Sequence, residues 1–282
     1  MAIASGETCL VLGGGGVAGI AWMTGLLAGL ADVGEDVTDA DLLIGTSAGS
    51  TVVAQIGSGV ALEGLFERQI NPALQSKEIP VQLDLETFAL DLGRVVTGAV
   101  SAEALRSRIG TFALAADTVP ESERMAVIES RLPVHEWPSR RIQVVAVDAE
   151  TGEPRIFDRH SGVGLVAAVA ASCAVPGIWP PVSIDGHRYV DGGVRSSDNA
   201  DLATGFARVV VLAPMGLNPP LLSAQSLTAA VDQLRRDGSG VTVLVPDPAS
   251  VVAIGTNPLD PATRVPAAHA GRAQGRAGIP PP

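Results

Sequence analysis

The stretch Thr8-Cys9-Leu10-Val11-Leu12-Gly13-Gly14-Gly15-Gly16-Val17-Ala18-Gly19, which continues without charge to Ala31, decides the architecture. An uncharged run of this length would suit a membrane-spanning helix. Four glycines in a row argue against one, because each weakens a helix interior by about 1 kcal/mol relative to alanine. The run divides instead into a short apolar strand over Thr8–Leu12, a glycine turn, and a helix over Val17–Leu30 that is apolar nearly all round. Such a helix packs between a sheet and other helices. Gly25 and Gly29, one turn apart, leave room for another backbone to approach it closely. A second uncharged run, Ser161–Ile184, is interrupted by Pro176, Pro180 and Pro181 and also reads as several elements.

Outward from this unit the pattern repeats. Asp41–Ile44 reads as a strand ending in Gly45, followed by a helix over Ser50–Gly57. Residues 62–131 form a more polar helical stretch, read as an insert or lid. Strands resume at Arg141–Val147, with Arg155–Asp158 pairing back across Glu150–Gly152, and a small-residue helix covers Val163–Ser172. Val182–Ile184 and His187–Val190 flank Asp185-Gly186, a hairpin signal. Arg208–Leu212 and Val241–Val245 are further buried strands, separated by a helix over Leu221–Arg236, and a last helix covers Pro261–Arg276. The alternation predicts a single α/β domain over residues 1–276, with a mainly parallel central sheet covered by helices on both faces and a frayed tail at 277–282.

Composition narrows the function. The chain has 282 residues, enough for a large core, and only 3% of them are aromatic, so that core must be aliphatic. A net charge of −11 opposes nucleic-acid binding, which needs a positive surface, and provides no polybasic lipid patch. Cys9 and Cys173 cannot form a disulfide scaffold, no Cys/His set has metal-site spacing, and the opening MAIASGETC lacks a basic signal-peptide region. A cytoplasmic protein without metal is the expectation.

Three motifs carry the chemistry. Gly45-Thr46-Ser47-Ala48-Gly49 is a G-x-S-x-G between an apolar strand and a helix. That arrangement presents a nucleophilic serine on a tight turn, with the helix N-terminus aimed at developing negative charge. Gly13–Gly16 with Gly19 also follows a strand and opens a helix. Gly14, Gly16 and Gly19 fit the G-x-G-x-x-G of dinucleotide-binding oxidoreductases, but the same backbone amides could hold a tetrahedral oxyanion. A nucleotide site would want an acidic residue closing the second strand, where Gly45-Thr46-Ser47 stands instead. Asp191-Gly192-Gly193 follows the hairpin and allows a carboxylate to approach another turn. None of His135, His160, His187 or His269 has a setting that suggests a base for Ser47.

Taken in order, these motifs resemble the patatin-like phospholipases, lipid acyl hydrolases with a Ser–Asp dyad. The segment Ala171-Ser172-Cys173-Ala174-Val175-Pro176-Gly177, followed by Pro180-Pro181, also looks like the family's segment ahead of its catalytic aspartate. The resemblance covers roughly residues 8–215. It implies a three-layer fold, Ser47 as nucleophile and Asp191 as proton acceptor. It further implies an oxyanion hole from Gly14, Gly15, Gly16 and Ala48, with Gly19, Gly45, Gly49, Gly192 and Gly193 in support. The substrate would be a lipid or other acyl ester, met at a transient membrane or micelle interface, without a cofactor. A non-catalytic lipid-binding protein on the same fold is the other alternative. One departure is visible: Ala18 stands where family members usually carry Arg or Lys.

Overall fold

Residues 4–81, 85–217 and 225–279 are described by the computed structural model. The first uncharged run forms strand β1 (Ala4–Leu12) and helix α1 (Gly16–Asp32), divided at the glycines. Strand β2 (Leu42–Thr46) and helix α2 (Ala48–Gly57) repeat the unit. β1 and β2 are parallel, with Leu12 opposite Gly45. That register sets the glycine loop beside the Gly45–Gly49 turn at the carboxyl ends of neighbouring strands, where α/β sheets place their ligand sites.

Helices α3 (Leu62–Ile70), α4 (Leu85–Val96), α5 (Ala102–Ala115) and α6 (Glu121–Arg131) follow. The chain then returns to the sheet as β3 (Ile142–Asp148) and β4 (Pro154–Phe157), and runs through α7 (Leu165–Ser172) into the hairpin of β5 (Val182–Ile184) and β6 (His187–Asp191). Strand β7 (Phe206–Leu212), helix α8 (Leu227–Arg236), strand β8 (Gly240–Leu244), helix α9 (Pro248–Ile254) and helix α10 (Arg264–Gly275) complete it. The strands form one sheet in the order β5-β6-β3-β2-β1-β7-β8, with β4 also paired to β3. β3, β2, β1, β7 and β8 run parallel, whereas β4, β5 and β6 join by antiparallel pairing.

Strand alternation sorts the core into layers. Leu10 and Leu12 of β1, Leu43 of β2, Val144 of β3 and Leu212 of β7 face a cluster shared with α1, α2, α3, α6, α7 and α10. Cys9, Val11, Leu42, Ile44 and Val211 face the opposite side, where Leu227, Val231 and Leu234 of α8 cover them. The fold is therefore the expected α/β sheet with helices on both faces. No helix among the described residues is long and apolar enough to cross a membrane.

Helices α1 and α10 meet backbone to backbone. A Cβ on Gly25 would lie 2.1 Å from the Ala268 carbonyl oxygen, and one on Gly29 would lie 2.2 Å from that of Arg272. The partner helix reciprocates, with Gly271 against Trp22 and Gly275 against Leu26. Gly25→Ala is expected to destabilise the fold by about 1–3 kcal/mol through overpacking, read as a lower urea or thermal midpoint. An unchanged midpoint would mean that the helices can part freely.

Some boundaries differ from expectation. The last helix starts at Arg264, because Pro261–Thr263 forms a 3-10 turn that Asp260 caps by accepting from the Ala262 N–H. The helix foreseen over Leu221–Arg236 begins at Leu227, with the Ser226 side chain at its N-cap; residues 221–224 lie outside the described residues. Helix α9 was not foreseen, although Asp247-Pro248 marks its start: Asp247 Oδ1 accepts from the Ser250 N–H at 2.7 Å. Of the expected tail, the Ile279 N–H donates to Glu35 Oε2 at 2.6 Å, and residues 280–282 lie outside the described residues.

Candidate active site

The turn between β2 and α2 holds Ser47 at φ 52° and ψ −117°, a backbone conformation that ordinary residues avoid. Such strain amounts to about 1–3 kcal/mol and persists only where neighbours over-determine it. Here they do. A Cβ on Gly49 would lie 1.9 Å from the Leu12 carbonyl oxygen, so only glycine lets α2 start against the end of β1. The Gly49 N–H donates to the Gly13 carbonyl at 3.0 Å, which ties the turn to the glycine loop. Gly45 is equally confined, its Cβ position being 2.6 Å from Ser50 Cα.

The glycine loop sits directly over this turn. A Cβ on Gly14 would be 3.5 Å from Ser47 Cβ, and one on Gly19 would be 3.5 Å from Ala48 Cβ. Of the four amides expected in an oxyanion hole, Gly14 is already engaged, donating to the Ser197 carbonyl at 2.8 Å. Gly15, Gly16 and Ala48 have N–H groups without a hydrogen-bond partner among the described residues. Gly16 and Ala48 open α1 and α2, so two helix N-termini converge near Ser47. Ala18 is fully buried, and its N–H donates to the Pro258 carbonyl at 3.0 Å.

Asp191 closes β6 and faces the same turn. A Cβ on Gly192 would lie 2.3 Å from the Val145 carbonyl, so glycine is needed for the turn to press against β3. The Gly193 N–H donates to Asp191 Oδ1 at 2.7 Å. Oδ2 is buried without an aligned hydrogen-bond partner among the described residues. Ser47 adjoins the carboxylate closely enough to bias its protonation, but short of full hydrogen-bond alignment. Burial drives the Asp191 carboxyl from 3.8 up to about 6, against the opposing influences of Ser47, the Gly193 N–H and the Arg124 charge. A carboxylate so placed is a far better base than one in water.

The supporting contacts could not be read from sequence, although Ser172 and Cys173 lie in the segment Ala171–Gly177. Ser172 Oγ donates to the Val145 carbonyl at 2.6 Å and accepts from the Ser47 N–H at 2.9 Å, bolting the strained residue to the sheet. Cys173 Sγ donates to the Ser47 carbonyl at 3.2 Å. Asn199 Nδ2 reaches Thr46 Oγ1 at 3.0 Å, the Ser196 carbonyl at 2.9 Å and the Gly192 carbonyl at 3.3 Å. It thus joins the serine turn to the aspartate turn. Asn199→Ala is expected to slow any reaction of Ser47 by about 10–10²-fold through misplacement. The check is the rate of covalent labelling at Ser47, and an unchanged rate would make Asn199 dispensable for alignment.

The cleft in front of Ser47 is lined by Gly16, Val17, Ala48, Arg124, Cys173 and Trp179, among others. Among the described residues no cluster of His, Cys, Asp or Glu could hold a metal ion. His187 Nδ1 lies 2.9 Å from Asp148 Oδ2, and that ring is half exposed. A nucleotide reading finds no support, because Asp41 sits at the opposite end of β2 from the glycine loop. Its Oδ2 accepts there from the Thr8 N–H at 2.7 Å.

The family model described as patatin-like phospholipase matches residues 10–204, more than half of the chain. No curated protein matches the chain by sequence. Among solved structures, the chain is similar to VipD from Legionella pneumophila, with a TM-score of 0.46 and 13% identity over 97% of this chain and 66% of that one. It is also similar to the type III effector protein ExoU, with a TM-score of 0.41 and 15% identity over 98% of this chain and 53% of that one. It spans less than two thirds of the length of either. The matched span takes in the glycine loop, the Ser47 turn and the Asp191 turn, and the chain belongs to the patatin-like phospholipase family.

Proposed function

We propose that the protein is a serine acyl hydrolase that cleaves carboxylic esters of lipids through Ser47 and Asp191. The observation that carries this reading is Ser47 itself: a serine held in a strained conformation, beside a buried, partner-poor carboxylate and beneath unpaired amides.

In the first half-reaction, Ser47 Oγ attacks the ester carbonyl while Asp191 Oδ2 takes its proton. The N–H groups of Gly15, Gly16 and Ala48 receive the oxyanion, and Gly14 holds the loop in place. Each such donor contributes on the order of 10²–10³ in rate. Collapse breaks the carbonyl–alkoxide bond, and Asp191 returns the proton to the leaving alcohol. In the second half, Asp191 takes a proton from water, which attacks the acyl-enzyme. The Ser47–acyl bond breaks, the fatty acid leaves, and Ser47 regains its proton. Helices α3, α4, α5 and α6 cover the acyl-binding side of the cleft in this reading.

The test is hydrolysis of uncharged nitrophenyl esters of increasing acyl length by the purified chain. Turnover that rises with chain length supports the reading. A folded protein that binds such lipids without turning them over would favour a lipid-binding role instead.

A further inference from the structure

We propose that Arg124 forms an anion-binding subsite beside Ser47, which selects acyl esters carrying a compact anionic group, either a phosphate or a carboxylate. The proposal rests on the hydrolase reading for its consequence in catalysis and on the following geometry for the subsite.

Arg124 lies on α6, within the polar helical stretch, yet it is only 4% exposed. Its guanidinium stacks on Trp179, 3.9 Å from the ring centroid. Stacking fixes the plane of the fork and leaves its N–H edge available. Nε and Nη1, which lie on different edges of the fork, are both buried and have no hydrogen-bond partner among the described residues. Buried charged donors are rarely left so. The neighbouring carboxylate does not fill the role, because Glu78 Oε2 is 3.8 Å from Nη1, beyond hydrogen-bond reach.

Glu78 is occupied elsewhere. Its Oε2 accepts from Arg131 Nη2 at 2.6 Å. Its Oε1 accepts from Arg131 Nε at 3.0 Å, from Arg264 Nη2 at 2.6 Å and from Ser76 Oγ at 3.1 Å. Burial alone would raise the Glu78 carboxyl, but Arg131 first, then Arg264 and Arg124, bring it down to about 2. Three buried guanidinium groups therefore face one carboxylate; Arg131 and Arg264 hydrogen-bond to it, Arg264 keeping only its Nε unpaired, whereas the Arg124 guanidinium makes no hydrogen bond among the described residues. Asp191 also feels the Arg124 charge, but its carboxylate has the proton transfer to perform.

Arg124, Arg131 and Glu78 line the same cleft as Ser47, Gly16 and Ala48. Positive charge in excess, in a site of low dielectric, asks for an oxyanion. The reaction's own oxyanion has the backbone amides, so the substrate must bring another. The overall charge of −11 repels anions from the surface, so selectivity would arise in the cleft and not by steering. The anion could sit on the alcohol side of the ester, as a phosphorylated glycerol, or at the far end of a dicarboxylic acyl chain.

The experiment uses the full chain carrying Ser47→Ala, which binds without turnover. Affinities are measured by calorimetry for a 1-acylglycerol 3-phosphate, for a 1-acylglycerol with an ω-carboxyl acyl chain, and for the uncharged 1-acylglycerol of equal length. At least one anionic ligand is expected to bind tenfold or more tightly than the uncharged one, and the tighter of the two identifies the anion's side. Adding Arg124→Gln should collapse that preference to threefold or less, and Arg124→Lys should retain part of it. In the chain with Ser47 intact, the ratio of kcat/KM between anionic and uncharged esters should collapse in parallel. Equal affinity for all three ligands overturns the subsite without any Arg124 variant, so a misfolded Arg124→Gln leaves the proposal open to refutation. A preference that survives Arg124→Gln in folded protein also overturns it. Anionic preference without ester turnover would sustain the subsite and remove the hydrolase reading, whereas turnover without preference would do the reverse.

Discussion

Ser47→Ala is expected to lower acyl-ester turnover by on the order of 10⁴-fold or more, while the protein stays folded. The loss is large because no second hydroxyl can take over at the turn. Ser50 Oγ is spent on the Ser47 carbonyl at 2.6 Å, and Ser172 Oγ is held between Val145 and the Ser47 N–H. The fold should survive because the turn is held through the backbone of residue 47. Its N–H donates to Ser172, and its carbonyl accepts from Ser50 and Cys173. Alanine keeps both. Ser47→Gly should lose the same activity but gain about 1 kcal/mol of stability, because glycine accepts φ 52° without strain. Full activity in folded Ser47→Ala would refute the nucleophile.

Asp191→Asn should remove activity by about 10²–10⁴-fold and, unlike most losses of function, stabilise the protein near neutral pH. The sign follows from linkage. The folded carboxyl titrates near 6 and the unfolded one near 3.8, so between those values the native state holds the extra proton. Stability is therefore fully present below about pH 4 and is lost as pH rises through about 6. That rise in pKa corresponds to about 3 kcal/mol, an upper estimate of what asparagine could recover. The gain of Asp191→Asn over wild type should be small at pH 4 and larger at pH 7.5, as measured by urea denaturation. Activity tells the same story in reverse, because a protonated Asp191 cannot accept from Ser47. Wild-type kcat/KM should fall about tenfold per pH unit below about 6. A flat profile from pH 4.5 to 7.5 would remove Asp191 as the base.

Much of the fold could be read from residue order, because the sheet is built from uninterrupted apolar strands. β2, β3, β7 and the Thr8–Leu12 part of β1 are short runs rich in Val, Leu and Ile whose two faces are mostly buried; β8, expected to be buried as well, is an edge strand that is half-exposed except at Leu244. Helix α9 was invisible for the opposite reason. It is seven residues long, and Val251 and Val252 point outward, so no apolar stripe announces it. Gly25 and Gly29 were legible as a place of close approach, but their partner was not, since α10 lies far along the chain.

The site divides in the same way. Ser47, Asp191 and the glycine loop sit in motifs whose spacing exposes them. Ser172, Cys173 and Asn199 act through tertiary contacts: Ser172 meets Ser47 across 125 positions, and Asn199 meets Thr46 across 153. Ser172 and Cys173 stand in the Ala171–Gly177 segment, which marks the region but not their contacts with Ser47, whereas the polar run Ser196–Asn199 just after the Asp191 turn is the signal that could have pointed to Asn199. The Gly14 amide could be placed near the nucleophile from sequence, but its bond to Ser197 could not. Arg124 was hidden by composition, because Glu121–Arg131 reads as a charged surface helix, and only packing shows Arg124 and Arg131 turned inward.

If Ser47 is an activated nucleophile, it can be trapped covalently. The folded protein is treated with a fluorophosphonate and the adduct is mapped by peptide mass spectrometry. One modified site is expected, Ser47, with no modification in Ser47→Ala and slower modification in Asp191→Asn. A folded protein that stays unmodified, or that is modified at another residue, would contradict it.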